Sequence, residues 1–221
     1  MSSKLHIDFV SDVSCSWCAV GLRNLEQAIE SLGDQIEADI QFRPFELNPD
    51  MPVGGQNLFE HVHEKYGWDD ERTVDAMEHV RRSGEPVGIE FRIDRATHVY
   101  NTFDLHRLLH WAFTKDKQKD LKKALFTAHF TDGRNLSDHG VLASVAASVD
   151  LEADEAHEVL ASGAFAQEVR EDEQIWINAG VRSVPAMIFN GRYAVSGAQP
   201  PATLEQVMRR ALAGAAEGVM P

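Results

Sequence analysis

The sequence predicts an α/β fold in which a β-α-β unit and a closing β-β-α unit are separated by a large helical insertion. Three observations carry this. Apolar residues alternate with polar ones near both ends of the chain but recur at helical spacing through its middle. The stretch 43–57, RPFELNPDMPVGGQN, holds three of the eight prolines and two adjacent glycines, loop chemistry that closes the first unit. Asn190-Gly191, set between two strand-like runs, is a strong hairpin turn. The 221 residues, 43% apolar and 25% charged, suffice for an ordinary globular core.

Taken in order, Leu5, Ile7 and Phe9 alternate as in a half-buried strand. From Cys15 the apolar spacing changes to Cys18, Leu22, Leu25, Ile29 and Leu32, a helical stripe that stops at Gly33. Ile36, Ala38, Ile40 and Phe42 alternate again, and Pro44 ends that strand. Residues 58–177 then read as an inserted helical domain, so that 1–57 and 178–221 form one discontinuous domain around it. Within the insert, Val74, Met77 and Val80 form one stripe. Leu105, Leu108, Leu109 and Ala112 form a second, and Leu121, Ala124, Leu125 and Ala128 a third. A short strand is expected around Ile89–Ile93. Ser137 opens a further helix through Val141, Leu142 and Val145, and a helix over Glu168–Asn178 ends at Gly180. After the hairpin of Ala186–Phe189 and Arg192–Val195, Thr203 with Gln206 makes a capping box for a last helix through Val207 and Leu212.

Lys and Arg number 21 against 35 Asp and Glu, a net charge of -14. Nucleic acid and anionic membrane present phosphates of the same sign, so neither is expected as a partner. No apolar run approaches the roughly 18 residues of a spanning helix. The N-terminal MSSKLHIDFVSDVSC has neither the apolar segment nor the small-residue cleavage site of a secretory signal. Two cysteines are too few for a disulfide framework holding together a small secreted fold.

Those two, in Cys15-Ser16-Trp17-Cys18, sit where the first strand hands over to the first helix. Residues i and i+3 share a helical face, so the sulfurs can close a short disulfide with little backbone movement. Cys15, at the helix N-terminus, faces unpaired N–H groups and the positive end of the dipole, which favour the nucleophilic thiolate. Cys18, one turn further along the apolar stripe, is expected to be more buried and to resolve. Zinc is the competing use of such a pair, but there is no second pair of cysteines. His61 and His63 would point to different helix faces, and His106 and His110 share a face with no evident third ligand. Two unrelated buried thiols are the remaining alternative. No metal is expected.

Ser183-Val184-Pro185 stands directly before the strand Ala186–Phe189, where proline is tolerated because no ladder donor is needed. With this element added, the chain resembles the DsbA-like branch of the thioredoxin superfamily, in particular its FrnE-like, cytoplasmic type. The resemblance is carried by DVSCSWCAVG at 12–21, PFELNP at 44–49, Asn101-Thr102 with His106-Arg107-Leu108, and GVRSVPAMIFNGRYAVSGAQ at 180–199. It implies a thioredoxin fold with a helical insertion, a cytoplasmic location, and a cis Val184–Pro185 bond beside the disulfide that offers backbone groups to an extended substrate. The family often has proline after the first cysteine. Ser16 stands there in this chain.

The expected function is thiol–disulfide exchange, or disulfide isomerisation, on protein or small-molecule disulfides. Cys15 attacks and Cys18 resolves, with no metal or organic cofactor and glutathione only as a redox partner. Ser16, Trp17, Asn101, Val184 and Pro185 are the expected substrate contacts. For Asn101 and Thr102 helix capping is the alternative, and for Trp17 simple half-burial. Asp12 is close enough to raise a thiol pKa, or is merely a loop acid. Glu168–Glu173 reads as a solvated helix face with Arg170. Two other functions stay open. One is a glutathione-dependent transferase or isomerase, like the kappa-class glutathione transferases and 2-hydroxychromene-2-carboxylate isomerases, which typically have serine at the first position. The other is a redox-sensing, chaperone-like binding module. Both a monomer and a homodimer fit the sequence.

Overall fold

A computed structural model describes residues 3–217. The chain opens with β1 (Ser3–Ser11), α1 (Ser16–Leu32) and β2 (Ile36–Pro44). A two-residue strand β3 (Gln56–Asn57) follows, and then the insert, with α2 (Leu58–Tyr66), α3 (Asp70–Gly84) and a two-residue strand β4 (His98–Val99). It continues through α4 (Phe103–Phe113), α5 (Gln118–Phe126), a π-helical turn (Thr127–Thr131), α6 (His139–Ala147), α7 (Ala153–Ser162) and α8 (Ala166–Asn178). The chain closes with β5 (Ala186–Phe189), β6 (Tyr193–Ser196) and α9 (Pro201–Glu217).

The main sheet has the order β2-β1-β5-β6. β1 pairs in parallel with β2, Ile7 facing Ile40, and antiparallel with β5, Phe9 facing Met187. A parallel pair requires a crossover, and α1 supplies it. β1 is central, and Leu5, Ile7, Phe9 and Val10 are all fully buried. β5 returns as β6 through Asn190 and Gly191, whose φ angles of 50° and 64° are the positive pair that a twisted hairpin turn demands. β2 lies on the sheet edge, and Gln118 of α5 covers it. Its side-chain carbonyl accepts from the Phe42 N–H at 3.0 Å, and its amide donates to the Phe42 carbonyl at 3.0 Å.

α9 packs on α1, while α5 and α8 pack on β2. Leu105, Leu108, Leu121 and Leu125 of the insert belong to the same contiguous core as Leu22, Leu25 and Phe189. The insert is therefore anchored by burial on the sheet that it leaves and rejoins.

Several local expectations are corrected. Residues 89–93 form no strand. A 3-10 turn over Glu85–Val87 and the left-handed Gly88 bend the chain first, and the Arg92 N–H donates to the Phe130 carbonyl rather than into a ladder. Asp138, not Ser137, caps α6, accepting from the N–H groups of Gly140 and Val141. α9 starts at Pro201, two residues before Thr203, since proline suits the first helical turn, where its missing N–H is no loss. In α3, Val74 is exposed and Thr73 is buried. Glu173 is also buried, not solvated: it accepts from the Glu46 N–H at 2.6 Å and pairs with Arg170 at 3.1 Å.

Candidate active site

The turn from β1 into α1 is built by Asp12. One carboxylate oxygen accepts from the Ser14 N–H at 3.1 Å, and the other from the Leu47 N–H at 2.7 Å. This ties the loop after β2 to the loop before α1. Cys15 follows as the N-cap residue of α1, with extended backbone and no side-chain cap on the helix. No Ser or Asp side chain occupies the cap, and the nearby N–H groups of Trp17 and Cys18 favour a Cys15 thiolate.

Cys15 and Cys18 are free thiols, 7% and 0% exposed. The Cys15 thiol lies below its ordinary pKa. The main cause is the hydrogen bond from the Cys18 thiol, helped by the N–H groups of Cys18 and Trp17 and opposed by burial and the Asp12 charge. Burial pushes Cys18 well up, and its bond to Cys15 adds to the rise. The two thiols are thus unequal, the ionised form being favoured at Cys15 and the protonated form at Cys18.

The Val184–Pro185 peptide bond is cis. In the thiol form Cys15 Sγ donates to the Val184 carbonyl at 3.6 Å, so the proline loop lies directly against the reactive sulfur. Gly21 makes the approach feasible, since a Cβ there would stand 3.0 Å from Pro185 Cγ and 3.3 Å from Met187 Cε. Gly21→Ala is accordingly expected to cost about 1–3 kcal/mol through overpacking and to slow Cys15 chemistry by displacing the loop. Thermal unfolding and Cys15 alkylation, both at wild-type values, would remove this role.

Ser16 and Ser14 line a largely apolar cavity of about 200 Å³ whose other walls include Leu58, Val62, Met77 and Val80 of the insert. Trp17 is half-buried, its ring tilted at 5.5 Å against His79 of α3. The insert therefore borders the Cys15 end of α1. Asn101 is placed elsewhere. Its Oδ1 accepts from the Phe103 N–H at 2.9 Å, and its Nδ2 donates to the Met51 carbonyl at 3.2 Å and the Pro49 carbonyl at 3.4 Å. It fastens the start of α4 to the proline-rich loop, and the depression it lines does not include Ser14 or Ser16.

The structure also gathers residues that lie far apart in the sequence. His106 Nε2 stands 3.7 Å from Asp12 Oδ1. Burial would raise Asp12, but His106 and the N–H groups of Leu47 and Ser14 outweigh it and hold the carboxyl at about 2. Lys122 and His129 are both buried nearby, and desolvation draws them down to about 8 and about 4. Among the described residues, no group of three or more His, Cys, Asp or Glu is arranged to hold a metal ion.

A dithiol at the start of the first helix, set against a proline loop on a β2-β1-β5-β6 sheet, defines the class of thioredoxin-fold thiol oxidoreductases. The DSBA-like thioredoxin domain matches residues 6–209, and the chain belongs to that family. It is similar to the probable DsbA oxidoreductase of Streptomyces coelicolor, with 30% identity and a TM-score of 0.90 over 98% of this chain and 92% of that one. In fold it is also similar to the cytosolic disulfide reductase DsbM of Pseudomonas aeruginosa, at 17% identity and TM-score 0.63 over 96% and 97% of the chains. A 2-hydroxychromene-2-carboxylate isomerase shares the fold at 16% identity and TM-score 0.70 over 96% and 98%. Among the described residues, no helix is long and apolar enough to cross a membrane.

Proposed function

We propose that the protein is a cytoplasmic thiol–disulfide oxidoreductase of the FrnE-like type, acting on protein or small-molecule disulfides without a metal or organic cofactor. The observation that carries this reading is the unequal pair: a thiol at the N-cap position, pulled down beside the Val184 carbonyl, and a buried partner pushed up. The Cys15 thiolate attacks a substrate sulfur and expels a thiolate. Cys18 then attacks Cys15, releasing the second thiol and leaving the Cys15–Cys18 disulfide. Ser16, Trp17, Val184 and Pro185 border the entering chain, with Val184 and Pro185 offering backbone. Glutathione enters as the redox partner that resets the pair. The DsbM relative, itself described as a disulfide reductase and also solved with glutathione, supports that assignment.

Cys18→Ala is expected to accumulate mixed disulfides on Cys15, and Cys15→Ala to accumulate none and lose turnover. Non-reducing mass spectrometry after exposure to a disulfide-bearing peptide reads both. Equal trapping in the two variants would reverse the assignment of roles.

The apolar cavity beside Ser14 and Ser16 favours a second reading, a glutathione-dependent isomerase or transferase taking an apolar co-substrate. There Cys18 is dispensable, so turnover that survives Cys18→Ala selects it. A redox-sensing binding module would show no turnover in any variant.

A further inference from the structure

The edge of β2 and helices α4, α5 and α8 enclose a second cavity, of about 220 Å³. It shares no lining residue with the cavity beside Ser14 and Ser16, and neither cysteine nor Pro185 belongs to its wall. Its lining runs from the exposed Phe113 and Thr114 to the buried His106, Gln118 and Lys122. Phe42, Leu109 and Val169 supply apolar wall between them. A cavity of about 150 Å³ accepts benzene, so this one has room for a ring with a polar group attached.

Several polar groups on this wall are already engaged. Gln118 spends its amide on the Phe42 backbone, and the Thr114 hydroxyl donates to the Trp111 carbonyl at 2.7 Å. Asp172 accepts from Trp176 Nε1 at 3.0 Å and pairs with Arg43 at 3.4 Å, while Arg43 also holds Asp8 at 2.7 Å. Two groups are left over. Lys122 is 0% exposed and His106 3%, and neither Lys122 Nζ nor His106 Nε2 has a hydrogen-bond partner among the described residues. Lys122 feels the charge of Asp12, but both Asp12 oxygens already accept backbone N–H groups. His106 Nε2 stands 3.7 Å from that carboxylate, beyond hydrogen-bond reach. Desolvation draws Lys122 down only to about 8, so near neutral pH most of it is still an ammonium. An ammonium carries three donors, and holding it buried without an acceptor is costly. The buried end of this cavity therefore calls for an anion.

We propose that this cavity is a binding site for a small carboxylate with an apolar, ring-sized body, the charge held by Lys122 and His106 and the body by Leu109, Phe113 and Val169. Both halves of the ligand are needed. The apolar wall contributes burial that a bare inorganic anion cannot use. The unpaired lysine contributes an attraction that a neutral ring of the same shape cannot use. A single charge is also the better match. The chain carries a net charge of -14, and Asp172 stands in the cavity wall, so each further negative charge on the ligand is repelled.

The test is isothermal titration of the protein near neutral pH with benzoate, with benzamide (the ring without the charge) and with inorganic phosphate (the charge without the ring). Benzoate should bind at least about 10-fold more tightly than either, the scale of a hydrogen bond to a charged group. Lys122→Met, apolar and of similar length, should weaken benzoate by a similar factor. Phe113→Asp sets a charge of the wrong sign among the exposed lining residues and should weaken it by about threefold, the scale of one exposed charge pair. Amide chemical-shift changes on adding benzoate should centre on Leu109, Phe113 and Val169. Benzamide binding as tightly as benzoate, undiminished binding in Lys122→Met, or shift changes centred on Ser14 and Ser16 would overturn the proposal. So would the absence of any benzoate binding up to about 10 mM. Should Lys122→Met fail to fold, the preference of the wild type for benzoate over benzamide and the position of the shift changes decide the matter. The dithiol takes no part in these readings, so their outcome is independent of the oxidoreductase assignment.

Discussion

A brief pulse of iodoacetamide on the reduced protein near neutral pH is expected to label Cys15 at least about 10²-fold faster than Cys18, since each pKa unit between two thiols is a decade in thiolate fraction. Two effects act in the same direction. The Cys18 thiol donates to Cys15, and the N–H groups of Cys18 and Trp17 add to that, so the Cys15 thiolate is stabilised from within its own helix turn. Cys18 suffers the opposite, because desolvation and its bond to Cys15 both favour the protonated form. Burial also hinders approach to Cys18 sterically. The half-labelling pH of Cys15 should fall below the ordinary thiol value of about 8.5. Peptide mapping by mass spectrometry gives both numbers, and comparable labelling of the two residues would end the claim that Cys15 is the nucleophile.

The second large effect is expected at Asp12, where function and stability pull apart. Asp12→Asn keeps an oxygen acceptor but removes the negative charge that opposes the Cys15 thiolate. The pH of half-labelling should move down further. Asp12→Leu instead leaves the Leu47 and Ser14 N–H groups without an acceptor inside the protein, at a cost of about 2–5 kcal/mol. The pH dependence has a definite sign. The native carboxyl titrates at about 2, below the usual value of about 3.9, so its contribution is complete above the unfolded-state value and is lost as the pH falls through about 2. That contribution is on the order of 2 kcal/mol. Denaturant unfolding of wild type and Asp12→Leu at pH 7 and in acid would show the difference shrinking towards low pH. A difference that stays constant would mean that the carboxylate does not hold these loops.

What could be read from the sequence was whatever is written locally. The Cys15–Cys18 pair, the stripe from Cys18 to Leu32 and the Asn190-Gly191 turn each declare themselves within a few residues, and the strands and helices they imply are where the structure has them. The second half of the site is not local. Asp12, Leu47, His106 and Lys122 are brought together by the packing of α4 and α5 against the sheet, and no spacing in the sequence encodes that. Lys122 shows the limit most clearly. The third stripe places Ala124 inside, whereas Ala124 is half-buried and the lysine two positions earlier is fully enclosed. Apolar periodicity assigns a lysine to solvent by default. Glu173 escaped notice for the same reason, its partner being the backbone of Glu46, 127 residues away. Asn101 shows the helix-capping alternative at work: its Oδ1 accepts from the Phe103 N–H at the start of α4, while its Nδ2 donates to the Met51 carbonyl, a loop contact that no spacing in the sequence gives.

The clasp of Gln118 on Phe42 has a consequence for the company this protein keeps. A disulfide-bearing chain that has lost its fold is a supply of unsatisfied strands, and an open sheet edge is where such strands attach and start to aggregate. On β2 that edge is already occupied at Phe42, since a side-chain amide presents the donor and acceptor that an incoming backbone would offer. Pro44 closes the end of the same edge with no N–H to give. A guest chain therefore finds the Phe42–Pro44 end of that edge closed to strand addition. On this view the insert also acts as a built-in guard against co-aggregation, protecting a protein whose proposed clients are themselves prone to aggregate.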